Sequence, residues 1–117
     1  MDRAELRERT KRFALRVMAL VAELPASTTG RAIAAQIIRS GTSVGANYRA
    51  ACRARSRAEF VAKVGIVEEE ADETAYWLEL IVEGALLPEP KARPLLQEAE
   101  ELTAIFAATG RTAKGNQ

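Results

Sequence analysis

The sequence predicts an all-α protein, an antiparallel up-down four-helix bundle whose copies associate with one another. Three observations predict it. Apolar residues recur at three- and four-residue steps through four segments. No run shows the period-two alternation of a half-buried strand. Hydrophobic residues make up 48% of the 117 residues but aromatics only 5%, so the core is drawn from Ala, Leu, Val and Ile, the palette of helix packing. A chain of this length forms one domain with a core of its own. That domain is expected at residues 4–114, followed by a disordered tail at 115–117.

The first helix is expected over about 4–24. Leu6, Thr10, Phe13, Val17, Leu20 and Leu24 fall on one face, and Pro25 ends the run. The segment 25–29 supplies turn and N-cap chemistry for a second helix over about 30–54. Its inner stripe is Ile33, Ile37, Ser40, Val44, Tyr48 and Ala51. Ser56, with Glu59 three residues on, reads as a capping box opening a third helix over about 57–87. That helix is the longest, roughly 45 Å at 1.5 Å per residue. Its stripe is nearly a heptad seam: Phe60, Val64, Val67, Ala71, Thr74, Leu78, Ile81 and Ala85. Pro88 and Pro90 stop it. A fourth helix over about 91–109 carries Leu95, Ala99, Leu102 and Phe106, fades at Gly110 and leaves residues 111–117 frayed. Short connections between long helices favour antiparallel neighbours.

The most unusual stretch is Arg39-Ser40-Gly41-Thr42-Ser43-Val44-Gly45-Ala46-Asn47-Tyr48-Arg49. Poor helix formers are concentrated here, yet helical apolar spacing passes through without a pause. Small residues at such a place serve close packing. Ala34, Ile38, Gly41, Gly45 and Cys52 lie within about 60° of one another at 100° per residue, a flank separate from the core stripe. Leu15 and Met18 add a second apolar flank to the first helix, and Tyr76, Trp77 and Leu80 add one to the third. This exceeds the apolar surface a soluble monomer usually exposes. The expectation is a homo-oligomer joined through Leu15, Met18, Gly41, Gly45, Tyr76, Trp77 and Leu80.

The net charge of +1 hides an asymmetry. Residues 1–63 hold 13 Lys/Arg against 5 Asp/Glu, and residues 64–117 hold 4 against 11. A split chain can pair its halves within one molecule or between subunits, or offer the basic half to nucleic acid. Arg49, Arg53, Arg55, Arg57 and Lys63 gather at the corner between the second and third helices, with Arg39 further back, where they could contact phosphates. Apart from Tyr48 no aromatics interleave with them, so binding would follow the backbone and depend strongly on salt.

Candidate catalysts are scarce. There is no histidine and a single cysteine, Cys52, which removes zinc sites, His-based acid/base chemistry and intrachain disulfides. No cofactor or metal is expected, and the chain reads as a non-enzyme. One alternative stands beside this. Glu69, Glu70 and Glu73 resemble the first half of the magnesium site in all-α nucleotide pyrophosphohydrolases, where carboxylates hold Mg²⁺ against a triphosphate. The second half, a following Glu-x-x-Asp, is missing, and the heptad turns Glu69 outward. The charged N-terminus and the lack of any ~20-residue apolar run point to a cytoplasmic protein with no membrane partner.

Two segments carry a resemblance. One is the Arg39–Arg49 stretch continued by Ala51-Cys52-Arg53-Ala54-Arg55-Ser56. The other is Glu69-Glu70-Ala71-Asp72-Glu73-Thr74-Ala75-Tyr76-Trp77-Leu78-Glu79-Leu80. Together they closely resemble the bacterial intervening-sequence proteins, first recognised as reading frames inside large-subunit ribosomal RNA genes. The segment from Leu95 to Lys114 also fits that family's last helix, and the match spans roughly Phe13 to Lys114. The resemblance implies a bundle that assembles as a ring-like homopentamer without established enzymatic activity. It also implies kinship with the accessory variability determinant of diversity-generating retroelements, a basic pentameric bundle that binds nucleic acid and works with a reverse transcriptase. RNA or a nucleoprotein is the partner so implied. This chain, at +1, is far less basic than that relative.

Overall fold

The computed structural model describes residues 1–115. Its helices are α1 (Arg3–Val21), α2 (Thr28–Cys52), α3 (Arg57–Glu83) and α4 (Glu89–Gly115). Each packs against the next and α4 returns to α1, while the diagonal pairs make no close backbone approach among the described residues. The up-down bundle measures 48 × 20 × 19 Å along its principal axes.

Polar side chains start the helices. Asp2 accepts from the Glu5 amide at 2.8 Å, and the Glu5 carboxylate accepts in return from the Asp2 amide, a complete capping box. Ser27 accepts from the Gly30 amide, and Ser56 from the Glu59 amide at 3.1 Å. The box expected at Ser56 and Glu59 is thus made in one direction.

The ends differ from expectation in instructive ways. α1 stops at Val21, because the chain tightens into three-residue turns (Glu23 amide to Leu20, Leu24 amide to Val21) before Pro25. α3 stops at Glu83, ahead of the prolines, in a turn through Ala85 at φ 54. α4 runs from Glu89 through Gly115, so residues 111–115 are helical and not frayed. Of the expected tail, Gly115 belongs to α4, and residues 116–117 lie outside the described residues. Pro94 sits inside α4 on its exposed side.

The predicted stripes form the core except at their ends: Leu24, Ile33 and Phe60 are half-buried against it, and Ala85, expected inward on α3, is exposed in the turn that follows the helix. Phe13, Val17, Ile37, Val44, Val64, Val67, Ala71, Leu78, Ile81, Leu102 and Phe106 are all but fully buried, and the rings of Tyr48 and Phe106 meet at 5.1 Å. Three buried hydroxyls are satisfied. Thr10 donates to the Leu6 carbonyl at 2.8 Å, and Thr74 Oγ1 lies 2.9 Å from Ser40 Oγ and 2.8 Å from the Glu70 carbonyl. The Ser40–Thr74 contact fixes the height of α2 against α3. The close approach of Gly41 to Val17 does the same for α2 against α1.

Candidate nucleic-acid interface and association surfaces

The basic cluster is divided by the fold. Arg39 leaves it altogether, for its guanidinium holds Glu70 at 3.3 Å and Glu73 across the α2/α3 seam. Glu73 also accepts from the Trp77 indole N–H at 2.9 Å. The indole bond, and then Arg39, hold the Glu73 carboxyl below its usual range, while Glu73 raises Arg39. Arg49 lies instead on the α1-facing side of α2. Arg53 caps the C-terminus of α2, Arg55 lies in the connection and Arg57 opens α3, all exposed, with half-buried Lys63 two turns on. Among the described residues Arg49, Arg53, Arg55 and Lys63 form no salt bridge.

Folding converts the charge split of the sequence into poles. The end of the bundle with the α2–α3 connection combines residues 1–11, 46–67 and 103–115, holding eleven Lys/Arg and four Asp/Glu. The remainder holds six and twelve. Arg3, Arg111 and Lys114 therefore join the predicted arginines at one end. The Arg3 guanidinium stands 4.7 Å over the Phe60 ring there. These residues are hidden from a linear reading because they belong to α1 and α4, at the two ends of the chain.

The three carboxylates of the alternative reading do not share one site. Glu70 and Glu73 serve Arg39, and Glu69 is exposed on the outer face of α3. Among the described residues no three His, Cys, Asp or Glu side chains are placed to share a metal ion.

Of the association candidates, Gly41 is corrected. It is buried, and it admits Val17 of α1 within the same chain; an added Cβ would meet Val17 Cγ2 at 2.8 Å. Gly45 likewise approaches the Thr10 carbonyl, where a Cβ would come within 3.3 Å, though its outer edge stays half-exposed. Trp77 packs on the core edge and against Tyr76, with ring centroids 5.1 Å apart. Leu80 is half-buried, whereas Leu15, Met18 and Tyr76 are 55%, 50% and 52% exposed. Ile38 and Ile66, outside the expected interface set, are also exposed.

An open groove of about 640 Å³ lies between α1 and α2. Its floor is Ala4, Ala14, Gly45 and Ala46, and Arg7, Lys11 and Arg49 line it together with Glu8. Arg7 and Lys11, at i and i+4 on one face of α1, join Gly45 and Arg49 of α2 in it. The seam between α4 and α1 is closed by charge: Arg9 grips Glu98 with two bonds at 2.6 and 2.7 Å and reaches Glu101 at 3.1 Å. No helix is long and apolar enough to cross a membrane among the described residues.

These features define a slender, charge-polarised up-down bundle with apolar side chains left on its surface. The chain belongs to the 23S rRNA-intervening sequence protein family, whose profile matches residues 3–108. It is similar to a crystal structure of a protein of unknown function from the S23 ribosomal protein family of Bacteroides thetaiotaomicron. The two are 32% identical with a TM-score of 0.83, over 90% of this chain and 97% of the other. Curated proteins give no match.

Proposed function

We propose that this chain is a non-enzymatic, homo-oligomeric bundle of the cytoplasm that acts as a binding or scaffold module for RNA or a nucleoprotein. The ring is the pentamer implied by the family resemblance, and the kinship with the accessory variability determinant belongs to the same reading. The observation that carries it is the pole: Arg53 and Arg55 stand exposed, without salt-bridge partners among the described residues, at the end of the molecule where positive side chains from all four helices meet. Phosphates are the complement of such a surface, and repetition around a ring multiplies its field. Arg39 is committed to α3 and takes no part.

Titration of a structured RNA at several salt concentrations tests this. Affinity is expected to fall steeply with salt. The Arg53→Glu/Arg55→Glu variant is expected to flatten the log–log slope by about 0.7–0.9 for each phosphate no longer neutralised. Tight binding unchanged in that variant would remove the site. Absence of binding at low salt would leave a pure assembly protein.

A further inference from the structure

We infer that the groove between α1 and α2 seats the outer face of α3 from a second copy of this chain. This rests on the self-association reading above and deepens it by assigning the two surfaces that meet. The groove holds Arg7, Lys11 and Arg49. The helical register carries the same flanks on to Leu15 and Met18 of α1 and to Ile38 of α2, which are 55%, 50% and 37% exposed. The seat is therefore cationic toward one end of the bundle and apolar toward the middle.

The outer face of α3 answers in kind. Glu69 and Asp72 are exposed on it, followed one turn on by Tyr76, which is 52% exposed. Among the described residues Arg7, Lys11, Arg49, Glu69 and Asp72 form no salt bridge within the chain. A nucleic-acid backbone would satisfy the cations but leave Leu15, Met18 and Ile38 in water. The α3 face offers both carboxylates and an aromatic ring.

Register adds a second argument. The Gly41–Val17 approach and the Ser40–Thr74 bond put Met18, Ile38 and Tyr76 within about one turn, ~5.4 Å, of a common height. The Thr10–Gly45 approach puts Lys11 near the height of Glu69 in the same way. Helices α1 and α3 run in the same direction. A neighbour related by rotation about an axis parallel to the bundle thus brings Glu69 and Asp72 beside Lys11, with Arg49 about one turn (~6 Å) nearer the α2–α3 connection and within reach of its long side chain, and Tyr76 to Met18 and Ile38. The two surfaces lie on different sides of one molecule, so the contact is heterologous and propagates until a ring closes.

Light scattering after size exclusion, on the full chain with helicity followed by circular dichroism, tests the pairing. Lys11→Glu/Arg49→Glu and, separately, Glu69→Lys/Asp72→Lys are each expected to weaken self-association by about tenfold or more, toward the 12.7 kDa monomer. Combining all four changes in one chain exchanges the charges and is expected to restore the oligomer. An oligomeric wild type that resists both pairs, or a combined chain that stays dissociated, overturns the pairing while the oligomer reading survives. Lys11→Glu/Arg49→Glu that abolishes RNA binding yet leaves the mass intact overturns it in favour of nucleic acid as occupant. A wild type of 12.7 kDa at micromolar concentration removes the oligomer reading itself.

Discussion

A methyl group added at Gly41 would stand 2.8 and 2.9 Å from the two γ-carbons of Val17, whereas at Gly65 it would meet nothing within 4 Å. Both glycines lie in helix interiors, where alanine is preferred by about 1 kcal/mol. At Gly65 that preference is unopposed, so Gly65→Ala is expected to raise stability by roughly 0.5–1 kcal/mol. At Gly41, crowding of Val17 costs about 1–3 kcal/mol, and Gly41→Ala is expected to lose about 1 kcal/mol net. Urea denaturation of both variants checks the pair of opposite signs; a stabilised Gly41→Ala would mean that the α1–α2 seam is loose. The sequence made Gly41 legible as a packing glycine but not its partner. A close approach by α1 of the same chain and one by another chain demand the same small residue. Ser40 and Thr74 were legible as inward positions for the same reason, while the bond between them depended on a register that spacing does not contain. Arg39 shows the limit most clearly. It lies on the same helix as Arg49, ten residues earlier, but sits on the α3-facing side of α2, where Glu70 and Glu73 claim it.

At the scale of elements, the interiors of all four helices follow from apolar spacing, because core burial enforces the period. Ends follow from local chemistry that the sequence states less plainly. The close of α3 is a Schellman turn: the Leu86 amide bonds the Ile81 carbonyl at 3.0 Å and the Ala85 amide the Val82 carbonyl at 3.2 Å. The left-handed residue in it is Ala85 at φ 54, while Gly84, one residue earlier, has ordinary αR geometry. The nearby glycine occupies the wrong position of the motif, and a reading that waits for the prolines overruns the helix by four residues. Ala85→Gly relieves a left-handed penalty of about 1–2 kcal/mol at an entropic cost of roughly 0.5–1, so a net gain of about 0.5–1 kcal/mol is expected. Thermal unfolding measures it, and a lower melting temperature would show that the turn is held by its neighbours without strain. At α4 the opposite error arises. Gly110 suggests a stop, but half-buried Thr109 and Ala113 and the nearness of Val64 carry the helix past it.

The whole molecule is long for its mass, with a Cα radius of gyration of 14.7 Å against about 13.4 Å for a compact chain of this length. A slender bundle keeps much of its side-chain surface in water, and here that surface includes Leu15, Met18, Ile38, Ile66 and Tyr76. The charge split was legible in the sequence as a difference between halves. Its conversion into poles was not, since it requires α1 and α4 to bring Arg3, Arg111 and Lys114 beside the α2–α3 corner. If copies cover one another's exposed apolar side chains, folding and assembly are linked by mass action. The melting temperature of the wild type is then expected to rise with protein concentration. Each tenfold increase adds about 1 kcal/mol per chain, or a few degrees for a domain of this size. Tyr76→Glu places a charge at the centre of the proposed contact without touching the core, and is expected to make the melting temperature independent of concentration. Scanning calorimetry over a hundredfold range of concentration distinguishes the cases. A flat wild-type profile would show that the bundle stands alone with its apolar flank in water, and the same rising slope in Tyr76→Glu would move the contact away from α3.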